Sequence, residues 1–199
     1  MAHIDYFFST LSPFTYIAGL KLEEIAARHG ATITYKPIDI VGLFGRTGGT
    51  PPKDRHPSRQ EYRLQELRRQ AAKADVEINA QPMFWPTNPA PSSYAIIAAQ
   101  AAGGGELGRL VYSFLRACWA EEKDIAQDDV VRECLVAAGF DAALADSGML
   151  AGAEAYEANL EEAVNRGVFG APFYITDSDE RFWGQDRLGD LDAHLAGKL

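Results

Sequence analysis

The residues best placed to do chemistry are Ser12 and, far downstream, Gly184, Gln185 and Asp186. Ser12 follows a short polar turn, Ser9-Thr10-Leu11, behind an apolar run from Ile4 to Phe8, and it precedes Pro13-Phe14-Thr15. The run reads as a strand, and Pro13 as the first residue of a helix, where its missing N–H costs nothing. A dithiol enzyme of this layout would carry C-x-x-C in the slot. Here the slot reads S-x-x-T, so no dithiol cycle can run there. A hydroxyl at a helix start can instead donate a hydrogen bond to an anion, such as a thiolate brought in by another molecule. Without such a ligand, Ser12 is a plain N-cap.

The elements that must position these residues follow from periodicity. An apolar stripe of Phe14, Ile17, Leu20, Leu22 and Ile25 predicts a helix to about His29, stopped by Gly30. Ala31 to Tyr35 alternates as a second strand, and Pro37 limits it. A strand, helix and strand this close together favour a parallel pair with a right-handed crossover. Residues 41–57 are rich in Gly, Pro and Thr and read as a long loop. Ser58 to Ala74 reads as a polar helix, Asn79 to Pro91 as irregular chain, and Ser92 to about Arg166 as helical, with Asp128 and Asp141 as N-caps. Phe173 to Thr176 and Glu180 to Trp183 are two further short strands, followed by an amphipathic helix from Asp186 to Leu195.

Composition narrows the function. The chain has 199 residues, 47% of them apolar, enough for a sizeable core. Its net charge of −9 argues against a nucleic-acid partner. Basic residues gather locally, however, at Lys53, Arg55, Arg59, Arg63, Arg68, Arg69 and Lys73: a solvated face, or a place where an anionic ligand is met. No membrane span is expected, because no stretch of about 18 apolar residues exists. The N-terminal residues carry no secretory pattern, which points to the reducing cytoplasm, where glutathione is available. Cys118 and Cys134 stand at no metal-ligand spacing and read as small buried hydrophobes, so no metal site is expected.

The outline is βαβ, then helices, then ββα. That is an α/β thioredoxin-like fold with a large all-helical insertion: residues 1–44 and 165–199 form the discontinuous thioredoxin-like domain, and 45–164 the inserted helical domain. Gly170-Ala171-Pro172 directly precedes the third strand, the place where thioredoxin-like folds keep a cis-proline. Three stretches carry a closer likeness. Tyr6-Phe7-Phe8 with Leu11-Ser12-Pro13-Phe14-Thr15-Tyr16, then Val168-Phe169-Gly170-Ala171-Pro172-Phe173, then Phe182-Trp183-Gly184-Gln185-Asp186-Arg187-Leu188 occur in the order and spacing of one family. The chain resembles the 2-hydroxychromene-2-carboxylate isomerases and the related kappa-class glutathione transferases, in the DsbA-like branch of the thioredoxin superfamily. Ser9-Thr10 departs from that family's usual acidic and aromatic pair.

The resemblance implies a glutathione-dependent isomerase that interconverts 2-hydroxychromene-2-carboxylate and trans-o-hydroxybenzylidenepyruvate by reversible thiolate addition, bond rotation and elimination. It implies that Ser12 donates to the glutathione sulfur, with help from the positive helix start. Ala171, before Pro172, would pair through its backbone with the cysteinyl part. Trp183, Gly184, Gln185 and Asp186 would complete the glutathione site, Asp186 accepting from the γ-glutamyl ammonium. A plain N-cap role is the alternative for Asp186. On the substrate side, Lys36 could pair with a carboxylate, and Trp85 and Asn88 suit a flat aromatic 2-oxo acid. A kappa-like transferase or peroxidase with another electrophile, or a binding protein without turnover, are the other readings. An apolar face on the helical insertion would suit a homodimer.

Overall fold

The computed structural model describes all residues from Met1 to Leu199. Strand β1 (His3–Phe8) alternates its side chains as a two-sided strand must: Ile4, Tyr6 and Phe8 point one way, Asp5 and Phe7 the other. It leads into helix α1 (Pro13–Ala18), helix α2 (Lys21–His29) and strand β2 (Thr32–Pro37). The expected single helix over 13–29 is therefore two. The chain breaks at Gly19, whose φ of 61° and ψ of −137° are not helical, and the Gly19 N–H returns to the Tyr16 carbonyl.

Seven helices and two strands come next, with a 3-10 turn (Pro52–Asp54) between the first two helices. They are helices α3 (Ile40–Thr47), α4 (Pro57–Ala74), α5 (Ala90–Ala102), α6 (Leu107–Trp119), α7 (Asp128–Ala137), α8 (Leu144–Ser147) and α9 (Met149–Asn165), then strands β3 (Phe173–Thr176) and β4 (Arg181–Trp183). A second 3-10 turn (Gln185–Arg187) then opens helix α10 (Leu188–Leu195). The expected loop over 41–57 is partly helix: the Asp39 carboxylate caps α3 by accepting from the Val41 N–H at 3.0 Å, and buried Leu43 anchors it. Asp128 is not an N-cap. It is the first residue of α7 and pairs instead with Arg132 one turn on. Asp141 caps the turn that enters α8, through Ala143 N–H.

The sheet order is β2-β1-β3-β4, with β1 and β2 parallel and the other pairs antiparallel. One face carries Tyr6, Phe8, Tyr35 and Tyr174 and packs into a cluster of 31 buried residues that also takes in Phe114 and Trp119 of α6 and Leu135 of α7. Sheet and inserted helices thus share one core. The other face carries Phe7, Phe173 and Ile175 against Leu43 of α3 and Ala163 of α9. Cys118 and Cys134 are buried free thiols, each pushed by burial up to about 12. No helix is long and apolar enough to cross a membrane.

A carboxyl lies at the first core's margin. Glu23 of α2 accepts from the Tyr35 hydroxyl at 2.8 Å, while its second oxygen is buried without a partner. Burial pushes this carboxyl up from its ordinary 4.5. The folded chain therefore holds that proton more tightly than the unfolded chain. The associated stability is complete below pH 4.5 and is lost as pH rises through the raised pKa. Glu23→Gln is expected to raise the melting temperature at pH 7 and to lose that advantage at pH 4. An equal shift at both values would show that ionisation of Glu23 has no part in it.

Candidate active site

Tight turns after β1 deliver Ser12 to a fixed place. The Ser12 N–H donates to the Ser9 carbonyl at 3.0 Å, and the Leu11 N–H donates to Ser9 Oγ at 3.2 Å. Ser92 of α5 donates to the Thr10 hydroxyl at 3.0 Å, fastening the turn to the helical layer. Ser12 then caps α1: its Oγ accepts from the Thr15 N–H at 3.2 Å, and Pro13 follows at the first helical position. The same oxygen donates to the carbonyl of Ala171, 159 residues away, at 3.1 Å. The Ala171–Pro172 peptide is cis, as expected from its position ahead of β3.

A cleft of about 670 Å³ opens beside Ala171. One wall is Ala171, Trp183, Gly184, Gln185 and Asp186. The other is the start of α4 and the residues before it: Arg55, Arg59, Tyr62 and Arg63, with Phe14 of α1 between the walls. Gly184 is required where it stands. Its φ is 108°, a region nearly closed to other residues, and an added Cβ would lie 2.6 Å from Asp186 Oδ1. Gly170 lets the Trp183 indole approach, since a Cβ there would lie 2.3 Å from its Nε1. Trp183 is not core. It is exposed, and it meets Phe169 edge-on at 4.8 Å between centroids. Asp186 is not an N-cap either. Gly184 caps the 3-10 turn, Arg187 precedes α10, and the Asp186 carboxylate faces the cleft with Arg187 at 3.0 Å.

The charges in this cleft are unusual for the chain. Arg55, Arg59, Arg63 and Arg68 are the only arginines with no carboxylate within 4.0 Å, and the first three line the cleft. Arg59 and Arg63, four residues apart, share one face of α4, and that spacing was the readable signal; Arg55 reaches the cleft from extended chain before the helix. Arg63 lies deepest. Burial, with Arg55 nearby, pushes its guanidinium down to about 10. Its Cζ stands 5.0 Å from the Trp85 ring centroid and 5.9 Å from that of Trp119. Trp85 in turn donates from Nε1 to the Leu11 carbonyl at 3.0 Å, so it links Arg63 to the chain just before Ser12.

Two expected substrate residues lie elsewhere. Lys36 is only 14% exposed and is held by Glu162 at 2.5 Å and Asp5 at 3.3 Å, in a network completed by Arg166. Burial pushes the Asp5 carboxyl up, but Arg166 and Lys36 outweigh it and hold it below its ordinary value. The Lys36 charge is thus already compensated, and a substrate carboxylate would have to displace one of these partners. Asn88 spends its Oδ1 on the Ala90 N–H at 3.0 Å, where it starts α5.

Sequence comparison accords with this geometry. Residues 3–196 match the DSBA-like thioredoxin domain, and the chain belongs to that family. It is 34% identical over 195 residues to the 2-hydroxychromene-2-carboxylate isomerase of Sphingobium xenophagum, covering 96% of this chain and 97% of that protein. A solved structure of 2-hydroxychromene-2-carboxylate isomerase superposes with a TM-score of 0.79 at 25% identity, covering 98% of this chain and 95% of the other. Glutathione S-transferase kappa 1 of Caenorhabditis elegans is 28% identical over 85 residues, 42% of this chain and 37% of that one. Within the DSBA-like proteins, the chain falls in the 2-hydroxychromene-2-carboxylate isomerase family.

Gly184→Ala is expected to destabilise the fold by about 1–3 kcal/mol, through backbone strain and the collision with Asp186. In an Asp186→Ala background the same change is expected to cost less. Urea unfolding of the four proteins in the cycle measures this. An equal cost in both backgrounds would place the collision elsewhere.

Proposed function

We propose that the protein is a glutathione-dependent isomerase acting between 2-hydroxychromene-2-carboxylate and trans-o-hydroxybenzylidenepyruvate. The observation that carries this is the Ser12 hydroxyl bonded to the carbonyl of Ala171, a residue that lines a cleft bearing two carboxylates, Asp186 and Glu66, and three guanidiniums without an ionic partner. Glutathione matches that pattern: it has an ammonium, two carboxylates, a thiol and a peptide backbone. In this reading Asp186 accepts from the ammonium, and Arg55 and Arg59 receive the carboxylates. Bound there, glutathione supplies a thiolate that adds reversibly to a C=C conjugated with a ketone, which frees that bond to rotate.

The chain's own residues prepare this step. Free thiols ionise near pH ~8.5, so the site must favour the anion at neutral pH. Ser12 does so by turning its hydroxyl from the Ala171 carbonyl to the sulfur. The vacated carbonyl then accepts a peptide N–H from the ligand, as a strand edge would. The helix contributes less than its expected length promised. It has six residues, Pro13 has no N–H to give, and the Thr15 N–H already serves Ser12. Trp183 lines the cleft and, with Phe169 edge-on to it, would offer flat apolar surface for an aromatic acid. The reducing cytoplasm, where glutathione is abundant, is the compartment this reading requires.

Ser12→Ala is expected to lower turnover of 2-hydroxychromene-2-carboxylate by about 100-fold or more and to abolish the thiolate absorbance of bound glutathione at neutral pH. It should also cost about 1 kcal/mol of stability through the lost cap. Unchanged turnover and absorbance would remove Ser12 from the mechanism. Wild-type activity on a chloro-nitrobenzene acceptor, with none on the chromene acid, would make the protein a kappa-like transferase instead. Inactivity on both would leave a binding protein.

A further inference from the structure

Arg63 is a cation without an anion, and the fold has gone to some length to place it. Its guanidinium is half-buried, yet no carboxylate lies within 4.0 Å and none of its five N–H groups meets a protein acceptor. Glu66, one turn on, is engaged by Tyr62, Arg69 and Gln70 rather than by Arg63. Two indole rings, Trp85 and Trp119, take up the cation instead. Aromatic contact stabilises the charge while leaving its donors unspent. Burying a charge without an ionic partner is costly, and the lowered pKa registers that cost. Nothing in the core asks for an arginine here, since the cluster beneath α4 is Ile17, Leu67 and Ala71.

We propose that Arg63 is the specificity-determining group for the electrophile: it receives the carboxylate of the aromatic 2-oxo acid and so selects anionic substrates over neutral ones. The inference rests on the isomerase reading above and adds the residue that reads the substrate's charge. A guanidinium can hold a carboxylate by two parallel hydrogen bonds. The Trp85 indole meets Arg63 and donates to the Leu11 carbonyl, so a carboxylate received by Arg63 would sit beside the chain entering Ser12. The reactive carbons of a 2-oxo acid lie only a few bonds from its carboxylate, so the anion would orient them toward the thiol. Arg55 and Arg59, which line the same cleft, remain for the carboxylates of glutathione.

The test compares trans-o-hydroxybenzylidenepyruvate with its neutral methyl ester, in wild type, Arg63→Gln and Arg63→Lys. Arg63→Gln is expected to raise KM for the acid by about 10- to 100-fold, leave the ester's kinetics unchanged, and leave the dissociation constant for glutathione unchanged. Arg63→Lys, which keeps the charge but not the fork, should fall between. Equal losses on acid and ester would show that Arg63 only supports the tryptophans, and would overturn the proposal. Weaker glutathione binding with an unchanged KM for the acid would assign Arg63 to the thiol's own carboxylates, and would overturn it too. If wild type turns over neither compound, the isomerase reading fails, and binding of trans-cinnamate, followed by tryptophan fluorescence, decides the inference separately. Binding lost in Arg63→Gln supports it. Binding that is unchanged, or absent from wild type, sinks it.

Discussion

The hydrogen bond from Ser12 Oγ to the Ala171 carbonyl joins the two halves of the chain at the place where the sheet's strands end. On one side it holds the turn after β1. On the other it holds the peptide ahead of β3, and through β3 the hairpin that carries Gly184 and Asp186. The oxygen serves two masters, since it also accepts from the Thr15 N–H. A hydroxyl can do this because it donates and accepts at once. A cysteine thiol does both weakly, so the S-x-x-T slot trades redox chemistry for a well-defined polar joint.

Charge placement follows a similar division. The chain carries a net charge of −9, and most of its arginines are consumed by neighbouring acids. Those pairs lie mainly on exposed helix faces, where each contributes little. The unpaired guanidiniums are confined to Arg55 and α4, and three of them, Arg55, Arg59 and Arg63, line the cleft with Asp186. The local field is therefore the reverse of the global one.

Much of this was legible in the chain, because the relevant signals are local. Alternation in Ile4–Phe8, Pro13 after a serine, and Gly170-Ala171-Pro172 before a short apolar run each name their own element. The break at Gly19 was hidden because the apolar stripe continues through Leu20 and Leu22, and periodicity cannot see a single residue's ψ. Helix α3 was hidden by Gly42 and Gly45, which suggest a loop, while the Asp39 cap and Leu43 outweigh them. Lys36 and Asn88 do not line the cleft, and their partners within the protein were not legible for a different reason. What a lysine or an asparagine does depends on partners such as Glu162, 126 residues away, and no local pattern reports them. The same blindness hid which member of the basic cluster at 53–73 stands apart, since Arg63 is marked out by the partners it lacks.

Helix α4 runs for 18 residues, yet Leu67 and Ala71 are its only fully buried side chains. Both lie past its middle, so the arginine-bearing first turns rest on little apolar surface. The wall opposite is built from a sheet hairpin and is fastened through the main core. The two jaws of the cleft are thus unequal in the apolar burial that fastens them. Lifting the arginine end would cost the contacts of Arg63 with Trp85 and Trp119 but little aliphatic burial. Amide protons there should exchange long before those of β1 and β3, and the groove can admit a bulky guest without loosening the core that shapes it.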